Sequence, residues 1–242
     1  MSAPRRVAIG GRVLKPGRPR LVGVAAGPGW EASDWSRADI LEIRLDHFPE
    51  VRDGVAAEGL LEKFRSVTGR PLLLTIRSDR ERETVLEPPL SEPDRLSLFA
   101  RLLPRCDAVD VEIGAGIAGR VARLAREAGK PVIGSYHNFR RLPPFFRLEE
   151  KLNRAEQLGA AVFKAAVRAE KTGEVFQLLD FCRRASGPHL VAAVPVGGRS
   201  PLPRLLAGYF GSVLVYAALG RPTAAGQPGL AELAEDLKRF YR

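Results

Sequence analysis

The chain has 242 residues, 45% of them hydrophobic and 27% charged, and a formal net charge of +10. That is ample for a sizeable core, either as two small domains or as one α/β barrel. No apolar run approaches the roughly 18–20 residues of a membrane span, which argues against a membrane protein. The two cysteines, Cys106 and Cys182, are too few for a disulfide framework and lack metal-ligand spacing. A reducing cytoplasm is therefore the expected location, and Arg5 and Arg6 have no apolar segment behind them to make a signal peptide. The positive charge is spread through every segment, with no basic block and no zinc spacing, so no nucleic-acid partner is expected. A surface charge bias without a partner is the favoured reading, and a field that steers a small anionic substrate is a further one.

In chain order, Val7 to Ile9 and Arg12 to Leu14 flank Gly10-Gly11, the pattern of a β-hairpin with a two-residue turn. Arg20 to Ala25 reads as an apolar strand, Glu31 to Arg37 has helical spacing, and Asp39 to Leu45 is the next strand. Val55 to Val67 is helical, with Leu60, Leu61 and Phe64 on one stripe, and Leu72 to Arg77 is a third strand. Helix over Pro93 to Leu103 leads to a strand over Ala108 to Ile113. Ile117 to Ala128 is helical and stops at Gly129 and Pro131, before a strand over Val132 to Tyr136. Phe146 to Leu158 is helical and leads to a strand over Ala161 to Ala166. Gly173 to Ala185 and Leu190 to Val194 form the next helix and strand. Pro203 to Tyr209 is helical, Ser212 to Tyr216 is an eighth strand, and Ala231 to Phe240 is a last amphipathic helix. Eight strand–helix units predict a (β/α)8 TIM barrel, with the N-terminal hairpin closing its bottom. Residues 1–242 are expected to form this single domain. A doubly wound sheet is the alternative, but Ala26-Gly27-Pro28-Gly29 is a poor phosphate loop.

Strand side chains alternate faces, so residues two apart point the same way. Glu42 with Arg44, Thr75 with Arg77, Asp110 with Glu112, and Ser135 with His137 each share a face near a strand's C-terminal end, as do Val162 and Lys164. In a barrel those ends converge on one mouth, where the chemistry of this fold sits. One such pair is a structural ion pair; five on one rim carry a desolvation cost that points to a ligand.

Two of these strands hold the candidate chemistry. Lys164 interrupts an apolar run, and a lysine kept dry is pushed towards the free, nucleophilic amine. His137 ends the preceding strand, where it can move protons. No metal, nucleotide or flavin signal accompanies them, so no cofactor is expected. Lysine, histidine and carboxylates without a metal point to Schiff-base chemistry on a carbonyl substrate.

At this point the residues resemble the type I 3-dehydroquinate dehydratases. The resemblance rests on Asp39-Ile40-Leu41-Glu42-Ile43-Arg44-Leu45-Asp46, Thr75-Ile76-Arg77-Ser78, Asp110-Val111-Glu112 and Ser135-Tyr136-His137-Asn138-Phe139. It continues through Gly159-Ala160-Ala161-Val162-Phe163-Lys164, Phe210-Gly211-Ser212 and Thr223-Ala224-Ala225-Gly226-Gln227. The family's Glu-Gly-Gly stands here as Glu81-Arg82-Glu83, its Ser-Arg-Leu as Pro203-Arg204-Leu205, and its lid serine as Thr223. The resemblance implies a hydro-lyase of the shikimate pathway that converts 3-dehydroquinate to 3-dehydroshikimate. It implies Lys164 as the imine-forming amine, His137 as the acid and base, and Glu81 as the carboxylate that holds the histidine tautomer. Arg204 would take the substrate carboxylate. Glu42, Arg44, Arg77 and Asp110 would read the ring hydroxyls and tune the lysine, and Thr223 and Gln227 would close over the substrate. A homodimer is also implied. Another Schiff-base barrel, such as an aldolase, and a non-catalytic basic binding protein are the alternatives.

Overall fold

The structure is a computed structural model that describes residues 6–81, 89–198, 200–220, 222 and 226–241. Strands β1 (Val7–Ile9) and β2 (Arg12–Leu14) pair antiparallel as the predicted hairpin. Gly10 and Gly11 take φ of 51° and 80°, left-handed values open to glycine at little cost. A Cβ on Gly10 would also lie 2.5 Å from the Pro71 side chain.

The remaining strands are β3 (Arg20–Ala25), β4 (Ile40–Arg44), β5 (Leu72–Thr75), β6 (Ala108–Glu112), β7 (Val132–Asn138), β8 (Val162–Arg168), β9 (Val191–Val196) and β10 (Leu214–Leu219). They form one eight-stranded sheet in the order β10-β3-β4-β5-β6-β7-β8-β9, parallel at every pairing. The β9–β10 seam is joined by the Val213 amide donating to the Val191 carbonyl at 2.9 Å and the Ala193 amide donating to Ser212 Oγ at 3.2 Å. Around the sheet lie α1 (Gly54–Thr68), α2 (Glu92–Leu102), α3 (Ala118–Glu127), α4 (Phe145–Gln157), α5 (Thr172–Ala185), α6 (Leu202–Ala207) and α7 (Leu230–Phe240). This is the expected (β/α)8 barrel. Among the described residues no helix is long and apolar enough to cross a membrane.

The barrel interior explains where the site must lie. Ile9 and Leu14 of the hairpin are fully buried in one cluster with Val22, Ile40, Leu73, Ala108, Ile133, Val162 and Leu214. The hairpin therefore plugs the end where the strands begin. Two residues further along six of the eight strands, the inward face turns polar: Ile40 gives way to Glu42, Leu73 to Thr75 and Ala108 to Asp110. In the same way Ile133 gives way to Ser135, Val162 to Lys164 and Leu214 to Tyr216, all of them buried. The period-2 alternation puts both sets on one face, and among the described residues the plug leaves the polar layer facing the C-terminal mouth.

Several element boundaries differ from the sequence reading. Glu31 to Arg37 is not one helix but two short 3-10 turns, Trp30–Ala32 and Trp35–Arg37. Asp34 sits between them and accepts from the side chains of Ser36 and Arg37, local bonds that compete with a continuous helix. Strand β5 stops at Thr75 rather than Arg77 because side chains take the backbone groups beyond it. The Ile76 carbonyl accepts from Arg95 Nε at 3.0 Å and from its terminal nitrogen at 2.7 Å, while the Arg77 amide donates to Asp46 at 3.1 Å. Strands β7 and β8 run two residues past expectation and pair with each other to the end, His137 opposite Ala166 and Asn138 opposite Val167. Ala218 and Leu219 belong to β10, which runs three residues past its expected end at Tyr216 and shortens the loop to α7. The Ala218 amide donates to the Pro228 carbonyl at 2.8 Å, which ties the two ends of that loop together.

Candidate active site

Lys164 stands on β8 and its amine is enclosed by three groups. Nζ donates to Asp110 Oδ2 at 3.0 Å, lies 3.6 Å from Glu42 Oε1, and sits 4.2 Å from the centroid of the Tyr216 ring. The sequence reading expected Arg44 or Arg77 beside the amine. In the structure both guanidiniums are turned to carboxylates instead. Arg44 forks onto Asp46 at 3.1 and 2.8 Å. Arg77 donates to Asp110 at 2.9 Å, Glu112 at 3.0 Å and Ser135 Oγ at 2.8 Å.

These contacts fix the charges. Burial opposes ionisation of Asp110, but Arg77 and Lys164 overcome it and hold the carboxyl well below its ordinary value. Burial likewise works against the Arg77 cation, and Asp110 and Glu112 more than restore it. Ser135 Oγ completes the set by donating to Asp110 at 2.6 Å, and Thr75 Oγ1 donates to Glu42 at 2.7 Å. The layer is a closed network in which nearly every polar atom has a partner, the arrangement a buried charge cluster requires.

His137 stands above this layer at the end of β7, its side chain largely buried at 7% exposure. Glu81 accepts from its backbone amide at 3.1 Å and lies 2.9 Å from Nδ1. Burial, with the Arg77 and Lys164 cations, pushes the imidazole pKa well below its usual value. The ring is therefore neutral near pH 7 and able to accept a proton. Burial raises the Glu81 pKa to about 7, helped by Glu112 and Asp110 and opposed by Arg77. When ionised, Glu81 takes the Nδ1–H and leaves Nε2 as the accepting nitrogen. Asn138 Oδ1 accepts from the amides of Arg140 and Arg141 at 3.1 and 3.2 Å and turns the chain away from the strand.

The cleft above the layer is lined by Glu42, Arg44, Arg77, His137, Lys164 and Tyr216, and also by Arg204 and Gln227. Seven of the residues named from the sequence thus meet at one opening, with Asp110 binding the amine from below. Arg204, on α6, is 4% exposed, and burial brings its pKa down to about 10, so it remains a cation at neutral pH. Glu81 reaches the cleft through His137. Thr223 lies outside the described residues, as do Arg82 and Glu83. Among the described residues no cluster of three His, Cys, Asp or Glu side chains is placed to hold a metal ion.

The sequence reading missed three participants. Glu112 was seen on its strand but not placed in the site, although it bridges Arg77 and the Ser78 amide. Arg95, on α2, was read as part of a helix and is 1% exposed beneath Glu112, to which it donates at 2.6 Å. Tyr216 was read as the last residue of an apolar strand. Its sharing of a face with Leu214 was the available signal for the inward position.

Comparison with known proteins decides what this geometry belongs to. A family model described as type I 3-dehydroquinase matches residues 29–241. The chain belongs to the type I 3-dehydroquinase family. It is a hydro-lyase by that membership. It is 34% identical over 206 residues to the 3-dehydroquinate dehydratase of Aquifex aeolicus, covering 85% of this chain and 89% of the relative. The corresponding enzyme of Methanosarcina barkeri is 35% identical over 204 residues, with 82% of each covered. Among solved structures, a type I 3-dehydroquinate dehydratase from Clostridium difficile with covalently modified comenic acid superposes with a TM-score of 0.87 and 26% identity over 98% of both chains. The Aquifex aeolicus structure gives a TM-score of 0.78 and 31% identity over 92% of this chain and 99% of that one. Type I 3-dehydroquinases share this barrel, and the polar layer described above is the part of it that carries ionisable chemistry.

Proposed function

We propose that the protein dehydrates 3-dehydroquinate to 3-dehydroshikimate, a shikimate-pathway step, through a Schiff base on Lys164. The observation that carries this is one cleft with a buried amine at its floor, a neutral imidazole on its wall and a buried guanidinium at its side. Lys164 Nζ adds to the ketone carbon, water leaves, and the iminium acts as an electron sink for the neighbouring carbon. His137 Nε2 removes the proton next to the iminium, then returns it to the departing hydroxyl as the C–O bond breaks. Hydrolysis of the new iminium restores the amine, so the net change is loss of one water. Glu81 orients the imidazole, Arg204 binds the substrate carboxylate through its planar fork, and Gln227 and Thr223 contribute at the cover of the site. Glu42, Arg44 and Arg77 read the ring hydroxyls. Family membership sets aside the aldolase and basic-binding alternatives.

Borohydride reduction in the presence of 3-dehydroquinate tests this reading. A reduced adduct mapped by mass to Lys164 is the expected result. Lys164→Ala and Lys164→Arg should give none, the latter because a guanidinium stays protonated. His137→Ala should still form the adduct yet lose roughly 10²–10⁴-fold in turnover. An adduct on Lys130, Lys151 or Lys171, or dehydration without any adduct, contradicts the assignment. A cytoplasmic homodimer built from a single-domain chain belongs to the same proposal, and sedimentation velocity with limited proteolysis tests its assembly and domain parts.

A further inference from the structure

The mechanism above gives Tyr216 no role. Tyr216 is 4% exposed, on the inward face of β10, and lines the cleft. Its ring lies 4.2 Å from Lys164 Nζ, within range of a cation–π contact. Its hydroxyl finds no hydrogen-bond partner among the described residues. The neighbouring hydroxyls of Thr75 and Ser135 are both satisfied, so the layer is not poorly packed in general. A buried hydroxyl without a protein partner calls for an explanation. An incoming ligand atom supplies one.

We propose that Tyr216 is a catalytic residue of the Schiff-base step: its ring face holds the cationic nitrogen of Lys164, and its hydroxyl donates a hydrogen bond to the substrate oxygen on the carbon that Lys164 attacks. The proposal rests on the Schiff-base reading above. Counted from the ammonium form, the step balances without an outside proton. The N–C bond forms and the C–O bond breaks. Two of the three ammonium hydrogens end on the departing oxygen as water, and one stays on the iminium nitrogen. Nitrogen is cationic at both ends of the step, as ammonium and as iminium, and neutral only while its lone pair attacks the carbon; the ring face lies against the two cationic forms. Asp110, 3.0 Å from Nζ, is positioned to pass the hydrogens. Tyr216 keeps its own proton. Burial, reinforced by Glu42 and Asp110, raises the phenol pKa well above its usual value, so the group remains a hydrogen-bond donor and is not an acid.

Two variants separate the ring from the hydroxyl. Tyr216→Phe keeps the ring; Tyr216→Leu removes both. The readouts are the single-turnover rate of adduct formation with 3-dehydroquinate under borohydride, kcat and KM, and the melting temperature. The expected result for Tyr216→Phe is a melting temperature equal to or above the parent's, because an unpartnered hydroxyl has been removed. Adduct formation should nonetheless slow by about tenfold, with the loss in kcat and not in KM. Tyr216→Leu should also lower the amount of adduct at equilibrium. Parental adduct kinetics in Tyr216→Phe overturn the proposal. Slower kinetics accompanied by a lowered melting temperature overturn it as well, since that pattern is structural. If the parent itself forms no adduct, the Schiff-base reading fails and this inference with it, whereas an adduct in the parent and an unaffected Tyr216→Phe variant reject Tyr216 alone.

Discussion

In the proposed mechanism, lysine and histidine side chains at the ends of neighbouring strands carry the chemistry at the scale of single residues, and Glu81 would set its pH range. With its pKa raised to about 7 by burial, Glu81 loses its charge just below neutrality, while His137, whose pKa is held low, is still neutral there. The acid side of the pH–rate profile should therefore report Glu81 and not the imidazole. Activity should fall as pH drops below about 7. Glu81→Gln should flatten that limb and lower the plateau by about tenfold, the worth of one charge-assisted hydrogen bond. A variant that keeps the limb would assign it to another group. For stability the signs differ. A carboxyl raised in the folded state contributes less as pH rises from its ordinary range to about 7, whereas the depressed Asp110 contributes above the ordinary carboxyl range and is lost below it. Lys164 was legible because an amine is out of place in an apolar run. Tyr216 was not, because a tyrosine at the end of an apolar strand looks like core until its hydroxyl is seen to lack a partner.

Elements carry these residues and also brace them. Helix α2 sends Arg95 inward, where it closes off β5 by taking the Ile76 carbonyl and supports Glu112, which in turn holds Arg77. It also pairs with Glu92 at its own helix start. Arg95→Met should leave Glu112 short of one cation in a buried site, at a cost of about 3–5 kcal/mol. The variant should also weaken substrate binding through Arg77, and denaturant unfolding with a KM measurement checks both. A sequence cannot distinguish this arginine from a surface one on helical spacing alone; the inward turn is fixed by packing against strands far away in the chain. Strand β7 presents the opposite case. A Cβ on Gly134 would lie 3.0 Å from Ala160, 3.1 Å from Ile113 and 3.2 Å from Ala155, so the glycine lets β7 sit close to its neighbours. Gly134→Ala should cost about 1–3 kcal/mol by overpacking and lower the melting temperature by several degrees. Because Ser135 and His137 ride on the same strand, turnover should fall with it. The apolar pattern placed β7 correctly but ended it at Tyr136; the two further residues are strand because β8 continues beside them.

The whole molecule is a barrel plugged at one end by its own hairpin and open at the other, and the eight-fold strand–helix repeat made that architecture legible without coordinates. What the repeat did not reveal was the β9–β10 seam, where Ser212 supplies a side-chain acceptor to the Ala193 amide. One open mouth also gives the net charge of +10 a direction. Arg140 and Arg141 follow β7 and Arg168 ends β8, all exposed on the side where the strands finish. Such charges act at a distance through water, so salt screens them: the Debye length falls from about 30 Å at 0.01 M to about 3 Å at 1 M. Arg204 is buried, so the carboxylate contact proposed for it would be much less screened. Raising salt across that range should therefore lower kcat/KM for 3-dehydroquinate by several-fold, up to roughly tenfold, through KM and with kcat unchanged. Replacing Arg140 and Arg141 together by serine should reduce the salt slope while leaving the high-salt value near the parent's. A kcat/KM indifferent to salt would make the charge a surface bias without a role in capture. A salt effect on kcat would place it in the chemistry instead, where the buried network of Arg77, Asp110 and Lys164 already accounts for the charge.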